Sequence, residues 1–269
     1  MGGGLAPSRA RDALIPSRPV GDRSVMSYTP PLMPSAPPPP SAPGPGAWLK
    51  SPVGLANATV AVLGAGIAAD LFSLWAGGGV FGVVSDVIDG DYGAVTEDRL
   101  DRADTLYGVS GILQGAAMLG AVVLFLCWFH RVRANADVFA PDGHRKTRGW
   151  AIGGWFVPIA NLWIPRRIAV DIWDASSGSR WLPGAGQEAR RRTLLNAWWT
   201  LWLTTGIFGQ IASRQYRAAE EPEKVKQAVV SLMASDLINI AAAIVAMLFV
   251  RRLTAMQDAL ARSGWGPRD

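Results

Sequence analysis

Four stretches of this 269-residue chain are long, apolar and almost free of charge, and they limit its possible folds more than any other feature. A helix needs about 20 mainly apolar residues to cross roughly 30 Å of hydrocarbon. Residues 53–76 carry one charge, Asp70; residues 106–129 and 193–213 carry none; residues 228–250 carry only Asp236. Inside a bilayer every backbone polar group must be satisfied without water, so spanning segments are helices or closed barrels, and runs of this length suit helices. The expected fold class is an all-α integral membrane protein with four transmembrane helices. Composition agrees, since 17% of residues are charged against about 25% in an average soluble domain. The same balance argues against a nucleic-acid module. A single cysteine, Cys127, cannot form an internal disulfide, and within VVLFLCWF its thiol is expected to pack as a small hydrophobe.

Residues 1–50 hold 12 of the 19 prolines, four of them consecutive at 37–40. Such a stretch is expected to be a disordered, Pro-rich cytoplasmic tail with polyproline-II character. It is followed by a helical membrane domain over 51–255 and a short cytoplasmic tail over 256–269. Trp48 and Trp75 bracket the first span, and 27 positions correspond to about 40 Å of helix, close to the spacing of the two aromatic interface belts. The glycines at 77, 78 and 79 are expected to end that span. Gly111 and Gly115 have the spacing of a close helix contact.

Between the second and third runs lies WAIGGWFVPIANLWIP, residues 150–165. It reaches only about 24 Å even if wholly helical, and Pro158 and Pro165 each lack a backbone donor. Length admits a short span, a re-entrant hairpin or an interfacial loop. Loop charge decides the orientation, because cytoplasmic loops carry excess Lys and Arg. Residues 85–105 hold seven acids and two Arg, whereas 130–149 hold five basic residues and 166–192 hold six Arg against three acids. With both of its flanks basic, 150–165 is expected to enter and leave on the cytoplasmic side as a Trp- and Pro-rich re-entrant or interfacial segment. Residues 214–227 are nearly balanced and suit the outside, and Arg251 and Arg252 close the last span inside. The pattern gives a plasma-membrane protein of four spans with both termini cytoplasmic. After Pro165, Ile168, Ile172 and Trp173 share one face while Arg167, Asp171 and Asp174 share another, so 166–177 reads as a short amphipathic helix in the headgroup region.

The segments FLCWFHRVRANADVF, GWAIGGWFVPIANLWIPRRIAVDIWDAS, NAWWTLWL and VRRLTAMQ resemble, in that order, the bacterial membrane family named domain of unknown function 4328. Trp155 to Trp163 with Pro165 is the most specific piece, and the resemblance covers roughly residues 100–257. It implies a multi-span membrane protein, often with a Pro-rich leading tail, found largely in actinobacteria. It implies no activity and no catalytic residue.

The candidate sites follow from cost. A charge at the centre of a bilayer is unfavourable by about 2.5–3.5 kcal/mol, so it marks a pathway or a partner. Asp70 and Asp236, with Asn239 one turn from the latter, could line an outward vestibule for a cation or proton; polar packing between helices, or Asp70 reaching out to water, is the structural alternative. Trp155, Pro158, Asn161, Trp163 and Pro165 form a broken element, read either as a binding pocket or as a rigid wedge anchoring the bundle. Arg131, Arg133, Arg166, Arg167, Arg190, Arg191 and Arg192 form a basic cytoplasmic rim suited to anionic lipid headgroups. No metal-ligand spacing, nucleophile elbow or phosphate loop is present, so no cofactor is expected. The leading expectation is a non-enzymatic interaction or regulatory platform, whose Pro-rich tail presents a polyproline segment to an unknown cytoplasmic protein. The alternative is a small transporter or channel component using Asp70, Asp236 and the broken element.

Overall fold

A computed structural model describes residues 49–177 and 192–263, and every element among them is helical. The Pro-rich tail before residue 49, Trp48, Arg190, Arg191 and the last six residues lie outside the described residues. Helix α1 spans Val53–Ile88, α2 Glu97–Phe139, α3 Trp150–Gly153, α4 Ile164–Ser177, α5 Thr193–Ala218 and α6 Pro222–Arg262, with a single 3-10 turn at Ala160–Leu162.

The long helices run well past the apolar stretches. Gly77, Gly78 and Gly79 do not end α1, which continues to Ile88. A glycine inside a helix costs only about 1 kcal/mol relative to alanine, and Gly77 is packed: a Cβ there would meet Met233 Cγ at 3.3 Å. The stop comes at Gly90, whose φ of +76° supplies the left-handed residue that closes many helices. Eight residues later α2 has begun, with the Thr96 hydroxyl accepting from Arg99 N–H and Glu97 and Asp98 in the first turn, favourable against the helix dipole. Helix α6 opens without a side-chain cap, on Pro222 at its first position and Glu223 in its first turn.

Three helices, α1, α2 and α6, are long and apolar enough to cross a membrane. Helix α5 has the length, but Asn196, Thr200, Thr204, Thr205 and Gln210 leave it less apolar. Helix α1 packs between α2 and α6, and α5 packs along α6. One end of this array, the acidic end, holds the 89–96 and 219–221 connections. The other, the basic end, holds α3, α4 and the last turns of α2 and α6.

Two apolar cores result. The larger, near the basic end, contains Trp128, Phe129, Ile168, Ile172, Leu195, Trp198, Phe249 and Leu253. Phe249 lies stacked between Trp198 (4.5 Å) and Trp173 (6.0 Å). The smaller, near the acidic end, holds Val80, Val83, Ala103 and Val229. The apolar face of α4 is therefore covered by protein: Ile168, Ile172 and Trp173 are buried in the larger core, where the amphipathic pattern suggested burial in headgroups. Gly111 and Gly115 are exposed with nothing near them, so they make no close contact inside the protomer. The close approach on α2 occurs instead at Gly120, where a Cβ would stand 2.9 Å from Val62 Cγ2 of α1. Cys127 is exposed on α2 and not packed in a core.

Candidate functional site

Asp70 stands midway along α1, and the side chain that meets it comes from α2. Gln114 donates one amide N–H to Asp70 Oδ1 (2.8 Å) and the other to Asp236 Oδ1 of α6 (2.9 Å). Ser73, one turn beyond Asp70, adds its hydroxyl to Asp236. Both aspartates and Ser73 are buried. The two carboxylate oxygens lie at most about 6 Å apart, which at an effective dielectric of about 20 is roughly 3 kcal/mol of repulsion if both are charged. One neutral amide cannot offset two negative charges. Adding one positive charge to the pair, as a proton would, removes that repulsion.

Of the arrangements the sequence allowed for Asp70 and Asp236, an outward vestibule or polar packing between helices, these bonds are polar contacts between helices. Because α1 continues beyond residue 76, the smaller core lies between the aspartates and the acidic end, and Tyr107 of α2 meets Tyr216 of α5 above it (6.1 Å). The larger core closes the other side. Asp70 is buried between these two layers among the described residues. Asn239 is half-buried and makes no hydrogen bond to Asp70, Gln114 or Asp236. Gln114 was missed because polar residues were weighed only in the spans that carry a charge; it is the one amide side chain in residues 106–129, and that was the available signal.

A second buried polar layer lies at the basic end. Gln257 of α6, 1% exposed, donates to the Val132 carbonyl (2.9 Å) and Ser176 Oγ (3.1 Å) and accepts from Asn135 Nδ2 (3.1 Å). Asn135 also clamps the Lys50 peptide, accepting its N–H (3.1 Å) and donating to its carbonyl (2.9 Å). Trp128 Nε1 donates to Thr254 Oγ1 (3.0 Å). None of these groups was singled out by the sequence.

Close by, Asp137 accepts from Arg133 and Arg148, and Arg133 also donates to the Lys146 carbonyl (2.7 Å). Burial pushes the Asp137 carboxyl up, but the bonds from Arg148 and Arg133 outweigh it and hold it below the usual carboxylate range. Arg133 is thereby a buried structural cation, 3% exposed, and no part of an exposed rim. Arg192 pairs with Asp174 (2.6 Å) and Arg166 donates to Asn196 (2.7 Å). Arg131 reaches the Ser51 carbonyl (3.5 Å), while Arg167, Arg251 and Arg252 are exposed.

In the broken element, Trp155 packs edge-on to Phe125 and Phe129 of α2 and to Trp202 of α5 (5.2 Å), adding to the contacts between those two helices made by Phe125 with Trp198 and Tyr107 with Tyr216. Pro158, Ile159 and Ala160 make a tight turn closed by Ala160 N–H to Pro158 carbonyl (2.7 Å), with Ile159 at φ +66°. A β-branched residue there is strained by about 1–3 kcal/mol. Asn161 contributes its backbone, donating to the Val157 carbonyl (3.1 Å). Trp163 is 45% exposed and Pro165 is buried in the first turn of α4.

No curated protein matches the chain, and no solved structure does. A family model described as Domain of unknown function (DUF4328) matches residues 91–255, from the connection before α2 almost to the end of α6. That is well over half of the chain, and this protein therefore belongs to the DUF4328 family.

Proposed function

We propose that this is a four-span, non-enzymatic protein of a bacterial plasma membrane, with both termini cytoplasmic, serving as a small transporter or channel component. The intramembrane Asp70, Gln114 and Asp236 triad is its cation- or proton-binding element. The observation that carries this reading is the meeting of two buried carboxylates on one amide between two apolar layers. An uncompensated pair of carboxylates is costly in lipid and marks an ion or proton path.

The orientation rests on the basic residues gathered at one end. Helix α5, at 26 residues or about 39 Å, is the fourth crossing. The 154–163 wedge enters from the cytoplasmic side. Seven of its ten residues donate a backbone N–H to a local carbonyl and Pro158 has none to satisfy, so this irregular stretch tolerates an apolar setting. Phe156 and Ile159, each 69% exposed, face lipid.

The test is flux in proteoliposomes with an entrapped pH dye, and separately with labelled sodium and potassium ions. Wild-type protein should pass protons or one of these cations above empty vesicles, and Asp70→Asn with Asp236→Asn should abolish it. No flux in the wild type defeats the transport role, and unchanged flux in the double variant removes the triad from it.

A second reading is favoured by the Asn135 clamp on Lys50. It ties Lys50 to α2 at the basic end, which also carries the exposed Arg251 and Arg252, and a platform for a cytoplasmic protein or anionic lipid would use such an end. Deleting residues 1–46 should then strip co-purifying partners, and an unchanged partner set rejects it.

A further inference from the structure

Between α2 and the wedge, residues 140–149 fold back over the basic end, and Asp137 is their hub. Besides Arg133 and Arg148, the imidazole of His144 approaches it, with Nε2 3.4 Å from Asp137 Oδ1. The His144 side chain is 3% exposed, and neither ring nitrogen has a well-aligned hydrogen bond, the Ala136 backbone being its one polar neighbour of that kind among the described residues. Such a group is rare, because a buried polar atom without a partner costs about 1–3 kcal/mol. A neutral imidazole leaves one donor and one acceptor poorly matched, whereas a charged ring would bring a full charge out of water.

We propose that His144 is the proton-sensing element of a latch, holding loop 140–149 onto α2 and α4 when neutral and releasing it when protonated. Three elements meet at the ring. Helix α2 presents Arg133 and Asp137, α4 presents Asp171, which accepts Arg145 N–H (3.4 Å), and the loop's own charged residues are Asp142, Arg145, Lys146, whose ammonium lies over the Trp150 ring, and Arg148, which reaches Asp137. Both oxygens of Asp137 already serve guanidinium groups. A charged imidazole would be a third cation on one carboxylate, beside Arg133 and out of water. Burial lowers the His144 pKa below its ordinary value, and the Arg133 charge adds to this; the Ala136 backbone, Asp137 and Asp171 oppose it without reversing it.

The sign follows. The closed loop binds fewer protons than the open one, so acidification through the ordinary histidine range, about 6.5, favours opening. One group changes the open-to-closed ratio by at most about tenfold per pH unit. The loop runs directly into α3 and the Trp155 wedge, so its release would free the near anchor of that wedge. The latch stands apart from the carboxylate triad and holds whether or not that triad carries ions.

The experiment is hydrogen exchange of full-length protein in nanodiscs at pH 7.5 and 5.5, corrected for intrinsic rates, with NMR titration of labelled imidazoles. The chain has two histidines, so His130→Asn assigns the signals. Protection over 140–149 should fall several-fold at the lower pH in wild type and stay flat in His144→Gln, while the His144 ring titrates below its ordinary value. Equal protection at both pH values in wild type, acid-induced opening that persists in His144→Gln, or a His144 ring titrating at or above the ordinary value overturns the latch. If His144→Gln is open throughout, the wild-type ring titration decides.

Discussion

Replacing Gln114 by methionine keeps the volume and length of the side chain and removes both donors of the triad. Two bonds are lost, of 2.8 and 2.9 Å, each to a buried carboxylate. Bonds to charged groups contribute about 1.5–3 kcal/mol in soluble proteins, whereas interhelical bonds in a membrane average about 0.6 and reach about 1.7. Asp236 keeps Ser73, but Asp70 keeps no other hydrogen bond from a side chain. Gln114→Met should therefore destabilise the bundle by about 2–4 kcal/mol. The assay is unfolding of the full chain in mixed micelles, titrated with SDS and followed by far-UV circular dichroism. Asp70→Asn is the comparison, because its amide oxygen still accepts from Gln114, and it should cost under about 1 kcal/mol. The pair of variants should be non-additive by at least about 0.5 kcal/mol. A Gln114→Met protein within about 0.5 kcal/mol of wild type would refute the bridging role.

Asn135→Ala and Gln257→Ala should each cost about 1–3 kcal/mol, since each strands partners in a buried layer. Their double-mutant cycle should show about 1 kcal/mol of coupling, and additivity within about 0.3 kcal/mol would mean the Asn135 to Gln257 bond contributes nothing. Ile159→Gly should raise the melting midpoint, because about 1–3 kcal/mol of strain is released while the exposed isoleucine side chain loses little protein contact; Ile159→Ala, which keeps the Cβ, should not raise it. The Asp137 pKa is held low, so its contribution is complete above the usual carboxylate range, about 4, and is lost as pH falls through the folded value. Melting midpoints should drop over that acid window, and Asp137→Asn should flatten the drop while lowering stability at neutral pH by stranding Arg133.

The helical class and the apolar runs were legible because twenty uncharged residues in a row have few other solutions. Helix ends were less so. The three glycines at 77–79 looked like a stop, yet packing of Gly77 against Met233 and the left-handed Gly90 decided the matter. Gly111 and Gly115 carry the right spacing for a contact, but spacing does not say which face of α2 turns to α1, and Gly120 has it. Asp70 and Asp236 were visible as charges. Their meeting was not, because it depends on the register of three helices and on a neutral residue, Gln114. The rim was read from charge alone, which cannot distinguish an exposed cation from Arg133, buried against Asp137.

The two polar layers bear on how the helices find their register at all. In lipid, apolar side chains gain little by leaving one apolar medium for another, so association rests on packing and interhelical hydrogen bonds. The triad joins α1, α2 and α6 at one level, and Asn135 with Gln257 joins α2 and α6 at a second, with the aromatic core between them. A slip of one helical turn, about 5.4 Å, would break both layers at once. The triad can therefore act as a register pin as well as an ion-binding group, and the two roles make different demands. A pin needs only acceptors for the Gln114 amide, which asparagine supplies at positions 70 and 236. An ion-binding group needs the negative charge. If Asp70→Asn with Asp236→Asn keeps the fold but loses flux, charge is the functional property; if it keeps both, the triad is a pin and the path lies elsewhere.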